Sequence, residues 1–217
     1  MAKIPIVASA PNPNVFINCP FDEDYRLCFE AILFTLHISH YVPRCALEEN
    51  DAGDIRFDKL CRLISDSDHS IHDLSRTESS AAGLPRFNMP FELGVMMGAR
   101  RFGAGRQKAK RACIMVAENF VLPAYLSDLA GNDPMPHGGD QRAVIRIVRD
   151  ALHCDPTGTV LPGATHIGDL LDEFRKDLPK LAAAARLTLD EVHPYRGYRN
   201  FMGMLRTFRD LMDDIAG

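Results

Sequence analysis

Two acids stand where the edge of a sheet would present them. Asp73 follows His69-Ser70-Ile71-His72, which reads as a buried strand, and Glu92 lies in Asn88-Met89-Pro90-Phe91-Glu92-Leu93-Gly94, which reads as a helix start with its carboxylate one turn in. Such a pair suits chemistry on a sugar carbon. Breaking an N-glycosidic bond builds positive charge on C1′, which an enclosed carboxylate stabilises or captures. The departing base also needs a proton from a second group. Glu92 is the sharper of the two: its helical neighbours Met89, Val95 and Met96 are apolar, and an acid in such surroundings is costly unless it has a partner or a task. Placement near the positive end of the helix macrodipole is the structural alternative. Gly94 and Gly98 each cost about 1 kcal/mol relative to Ala inside a helix, so close approach by a strand, a ligand or another helix is expected there.

Further candidates flank these acids. Asn18 and Asp22 follow the first strand, where they either bind a ribose or a base or close a turn through their own backbone. Phe21 offers a face for a base or a plug over the sheet edge, and Tyr25 lies one helical turn beyond it. Asp73 either binds a ribose hydroxyl or caps its loop. Ser75 and Arg76 suit a phosphate, the planar guanidinium matching its oxygens; a surface ion pair is the alternative for Arg76. Asn88, where the helix opens, completes the substrate-binding set.

These residues need a scaffold, and the chain's periodicity predicts one. Val15 to Cys19 reads as the first strand, stopped by Pro20, and a broadly apolar helix follows with Asp24 as its cap. Tyr41 to Glu48 is a second strand, placed at an edge by Pro43. Ile55 to Asp66 has helical spacing, His69 to Leu74 is the third strand, and residues 75–88 form a loop. Met89 to Arg101 is a helix with Pro90 early, where its missing N–H is harmless. Ala112 to Ala117 is apolar throughout, the habit of a strand buried on both faces. Leu122 to Leu129 is a short helix, Asp133 to His137 a brief fifth strand, and Gln141 to Leu152 an amphipathic helix. Ile167 to Ala185 and Tyr198 to Ile215 are helical. The alternation predicts an α/β fold, a flavodoxin-like doubly wound parallel sheet of about five strands in the order 2-1-3-4-5 with C-terminal helices. Ligand then belongs beyond the carboxyl ends of strands one and three. The domain plan is a flexible leader over 1–13, a nucleotide-binding or catalytic α/β domain over 14–155, and a helical extension over 156–217 that packs on the domain or on a partner subunit. Within that extension, Tyr195, Arg196, Tyr198 and Arg199 read as an amphipathic interface or as completing a neighbouring subunit's site.

Composition narrows the classes. The chain has 217 residues, 46% hydrophobic and 25% charged, which are globular values. A net charge of −4 gives no electrostatic footprint for nucleic acid or an anionic membrane. The basic stretch Arg106 to Arg111 reads as a solvated loop. Six cysteines without a C-x-x-C pair point to buried free thiols and a cytoplasmic setting. Neither a secretory leader nor a membrane span is expected. His37 and His40 lack a third ligand, and His69 and His72 point opposite ways on a strand, so no metal site is expected. Phosphate-loop, dinucleotide and nucleophile-elbow motifs are absent.

Three segments carry a resemblance. Val-Phe-Ile-Asn-Cys-Pro-Phe-Asp at 15–22, Ile-His-Asp-Leu-Ser-Arg at 71–76 and Asn-Met-Pro-Phe-Glu-Leu-Gly at 88–94 resemble the nucleoside 2-deoxyribosyltransferase-like superfamily. That superfamily is related in architecture to TIR-like nucleotide-hydrolysing domains. The resemblance covers roughly residues 14–117. It implies that Glu92 is the catalytic carboxylate, that Asp73 assists base or sugar binding, and that Phe21 and Tyr25 line a nucleoside pocket. The approach Pro85-Arg86-Phe87-Asn88-Met89-Pro90 departs from the glycine-rich approach of the transferases and favours a phosphorylated or dinucleotide ligand such as NAD. The expectation is an N-glycosidic hydrolase or glycosyltransferase acting on a nucleoside, nucleotide or NAD, needing no cofactor, in a homo-oligomer. The alternative is a non-catalytic nucleotide-sensing module that self-assembles.

Overall fold

The computed structural model describes residues 12–49, 51–75, 86–118, 124–129, 131–153 and 160–216. Five parallel strands form one sheet in the order β2-β1-β3-β4-β5: β1 Asn14–Asn18, β2 Val42–Arg44, β3 His69–Asp73, β4 Arg111–Val116 and β5 Met135–Pro136. This is the flavodoxin-like arrangement that the alternation of periods predicts. The helices are α1 Arg26–Ile38, α2 Arg56–Asp66, α3 Asn88–Phe102, α4 Gln141–His153, α5 Ala164–Ala184 and α6 Tyr198–Ala216.

Side chains alternate across a strand, so the sheet has two faces with separate cores. Val15, Ile17, Ile71, Cys113 and Met115 face α1, α4, α5 and α6, whereas Phe16, Leu74 and Ile114 face α2 and α3. Helix α1 is buried from Cys28 to Ile38 because the sheet lies on one side of it and the C-terminal helices on the other. Glu30, 6% exposed, is held between Arg26 of its own helix (2.6 Å) and Arg175 of α5 (2.9 Å), and Arg175 also donates to Gln141 at the start of α4 (2.6 Å). Phe174, Phe201 and Phe208 from α5 and α6 lie in the same core as β1, so residues beyond 160 complete the α1 face.

Several local expectations change. Strand β2 keeps only three residues on the β1 edge because Pro43 has no N–H to donate, although its edge position is as read from that proline. Asp22, not Asp24, caps the chain's first turn: its Oδ1 accepts the Tyr25 N–H (3.1 Å) at the head of a 3-10 turn over Glu23–Tyr25. Strand β5 is reduced to Met135–Pro136. A Cβ at Gly94 or Gly98 would meet nothing within 4 Å, so neither glycine serves a close approach among the described residues. The basic stretch before β4 is anchored rather than loose. Arg106 pairs with Asp68 (2.9 Å), and Lys110, 1% exposed, donates to the carbonyls of Ile64 (2.6 Å), Ser65 (3.2 Å) and Ser67 at the end of α2. Burial lowers the Lys110 pKa. Cys19, Cys28, Cys45 and Cys113 are free and buried, Cys61 is free and half-buried, and Cys154 lies outside the described residues. No described helix is long and apolar enough to cross a membrane. The leader up to residue 11 also lies outside the described residues.

Candidate functional site

Asp73 ends β3 at the carboxyl edge, on the α1 face of the sheet. It is 0% exposed and completely engaged. Its Oδ2 accepts from the Tyr25 hydroxyl and from His137 Nε2 (3.0 Å), and its Oδ1 accepts from the Ser75 N–H (2.8 Å) and the Ser75 hydroxyl. Burial works to raise its pKa, but the donors His137, Ser75 and Tyr25 outweigh it and hold the carboxyl below its ordinary value.

His137 follows β5 directly and extends its ladder, donating N–H to Val116 O (3.0 Å). Its Nδ1 accepts the Gly139 N–H (3.0 Å), so the ring N–H is on Nε2, between Asp73 and Ser75 Oγ (2.9 Å). Gly138 and Gly139 have φ of 61° and 71°, left-handed values that only glycine adopts freely, and they turn that N–H back onto the ring. Ser75 is the only half-exposed member of the cluster; Tyr25, Asp73 and His137 are buried.

Glu92 approaches the same edge from the other face. It is 7% exposed on the buried side of α3, beside Met89, Leu93 and Met96, and has no hydrogen-bond or ion-pair partner among the described residues. Burial pushes its pKa up to about 7, with Arg56 pulling weakly the other way. Asn18 fixes its position. The Asn18 amide, 3% exposed, donates to Met89 O (2.8 Å) in the first turn of α3 and to His72 Nδ1 (3.0 Å) on β3. His72 is wholly buried, and burial pushes its pKa down to about 3, so it serves as a neutral acceptor. Cys19, just past β1, feels the charge of both Asp73 and Glu92, and its pKa is raised well above the ordinary thiol value, chiefly by burial. The two acids therefore flank the end of β1 from opposite faces.

Asp22 Oδ2 faces Arg86 Nη1 (3.4 Å), so the loop after β1 and the approach to α3 meet across the sheet edge. Phe21 is half-buried, edge-on to Phe29 (5.3 Å) and to Tyr195 (6.0 Å), and Tyr195 stacks on Phe29 (5.3 Å). Tyr195 thus packs within its own chain beside the loop after β1. Asn88 is exposed at the opening of α3. Arg76 lies outside the described residues. Sequence reasoning missed His137. The signal for it was its place at the carboxyl end of a fifth strand, followed by Gly138-Gly139.

No family model, curated protein or solved structure matches the chain.

Proposed function

We propose that the chain breaks the N-glycosidic bond of a nucleoside, nucleotide or NAD, by hydrolysis or by sugar transfer, with Glu92 facing the anomeric carbon. The observation that carries this reading is a nearly buried acid, free of any partner among the described residues, at the carboxyl edge where an open α/β sheet takes its ligands. As the C1′–N bond breaks, its electron pair leaves with the base, and the Glu92 carboxylate either bonds to C1′ or offsets its charge until water adds. Asp73, its oxygens engaged by four donors, is a positioning residue that aims Ser75 and His137. Ser75, the half-exposed member of the cluster, meets the ligand; the departing base takes its proton from the water or acceptor whose remainder bonds to C1′. Arg86, with Arg76 from the motif, suits a phosphate. Resemblance of the three segments to the deoxyribosyltransferase-like superfamily points the same way.

A second reading, a nucleotide-sensing module that self-assembles without turnover, draws on the saturation of Asp73. No second unpartnered buried acid stands at this edge among the described residues to protonate a base. Calorimetric titration with NAD and a nucleoside panel, coupled to chromatography of the incubated mixture, separates the two. Free base in the mixture supports the enzyme. Tight binding with every ligand recovered intact supports the sensor.

A further inference from the structure

A cluster of arginines lies at the opposite end of α1 from Tyr25 and Asp73. A cavity of about 620 Å³ opens between the end of α1, strand β2 and α6, lined among others by His37, Tyr41, Arg199, Met202, Arg206 and Arg209. Arg199, Met202, Arg206 and Arg209 recur at i, i+3, i+7 and i+10, which brings them onto one face of α6. Among the described residues, Asp210 beside Arg209 is the one carboxylate paired with these three arginines. Arg199 donates to the Glu48 carbonyl (3.0 and 3.2 Å), Arg206 only to Met202 O of its own helix (3.5 Å), and Arg209 to His37 O (3.4 Å) with Asp210 at 3.9 Å. Glu48, which also lines the cavity, is taken by Arg44 (2.6 Å). Asp213 is a further negative charge, acting on His40.

His37 adds a buried ring to the lining of this cavity. It is 6% exposed, lines the cavity, and its Nε2 is buried with no hydrogen-bond partner among the described residues. An unmet polar atom of that kind is costly unless something meets it. The local field is positive: the His37 pKa is pushed down to about 3 by burial, Arg209, Arg206 and His40, against a hydrogen bond with the Leu205 backbone that raises it, and that of His40 is lowered by burial and Arg209.

We propose that this cavity binds a phosphate-bearing small molecule of nucleotide size. Guanidinium groups match phosphate oxygens with paired N–H donors, and a monoprotonated phosphate also has the O–H that a neutral imidazole nitrogen accepts. The volume falls in the range of small-ligand sites, roughly 300–1,000 Å³. Tyr41, Val42 and Met202 give an apolar wall for the rest of the ligand. A net charge of −4 on the chain favours a small anion over a nucleic-acid strand. The site is independent of the glycosidic reading, because α1 separates it from Tyr25 and Asp73 by about 20 Å of helix at 1.5 Å per residue.

Inorganic pyrophosphate and ADP titrated into the full chain by calorimetry test this. The expected result is saturable one-to-one pyrophosphate binding, at least tenfold weaker in Arg206→Glu, an exposed position, and unchanged in Lys180→Glu, an exposed position of α5. His37 ring resonances should shift on pyrophosphate addition. The proposal is overturned if neither probe binds, if Arg206→Glu binds as tightly as the parent, if Lys180→Glu removes the binding, or if only a single-stranded oligonucleotide binds.

Discussion

Asp73 and Glu92 carry opposite electrostatic histories, and each predicts its own pH behaviour. The folded pKa of Glu92 is raised to about 7. Its contribution to stability is therefore present below the unfolded value and lost as pH rises through about 7. The shift corresponds to about 3 kcal/mol at 1.36 kcal/mol per unit. Glu92→Gln should accordingly unfold at higher denaturant than the parent at pH 8, with the gap closing towards pH 5; urea melts at the two pH values measure it. Asp73 behaves in reverse. Its folded pKa is lowered, so its stabilisation is present above the ordinary carboxylate pKa and lost as pH falls through the folded value. Asp73→Asn leaves buried donors facing an amide instead of a carboxylate, and about 3 kcal/mol or more of stability should go with it. Tyr25→Phe removes one of those donors, at a cost of about 1.5–3 kcal/mol. Of this chemistry, the two acids, Tyr25 and Ser75 were legible in the sequence because each borders a strand or helix end. Saturation of Asp73 was not: it depends on His137, 64 residues along the chain from Asp73, and no local pattern shows which side chain a strand end will meet.

Elements place these groups. Strand alternation turns His72 and Asp73 to opposite faces, so one β3 dipeptide serves both sides of the sheet: His72 receives Asn18, and Asp73 receives Tyr25 and His137. Asn18 in turn ties the first turn of α3 to β1. Asn18→Ala should shift Glu92 and reduce turnover more than stability, a contrast readable from kcat and the melting temperature of the same preparation. The turn after α2 depends on Lys110, whose buried ammonium donates to three carbonyls as a C-terminal cap. Lys110→Met should destabilise by about 1–3 kcal/mol, measured by urea unfolding, because those carbonyls lose their donor. From sequence this lysine looked like part of a solvated run. Its burial depends on the end of α2, more than 40 residues away, which a local charge pattern does not encode.

At the scale of the whole molecule, the strand order and the switch point were legible because apolar runs and helical periods alternate along residues 14–152. What α5 and α6 do was not. An amphipathic helix announces that it covers something without saying what, and the deciding contacts, such as Arg175 to Glu30 and Tyr195 to Phe29, join distant parts of the chain. These helices complete the core around α1, and the segment before α6 packs beside the loop that follows β1. The connector turns tightly at Gly197, where a Cβ would come within 1.8 Å of the Glu191 carbonyl oxygen. The sheet thus sets Glu92 and the Asp73–His137–Ser75 cluster on either side of one edge, and the most direct test of their joint role is release of free base. Purified protein and Glu92→Gln are incubated with NAD and a nucleoside panel, and base is measured over time. Base release by the parent, reduced at least a thousandfold in a folded Glu92→Gln variant, is the predicted result. Equal release by both, or no release by a parent that binds these ligands tightly, would contradict it.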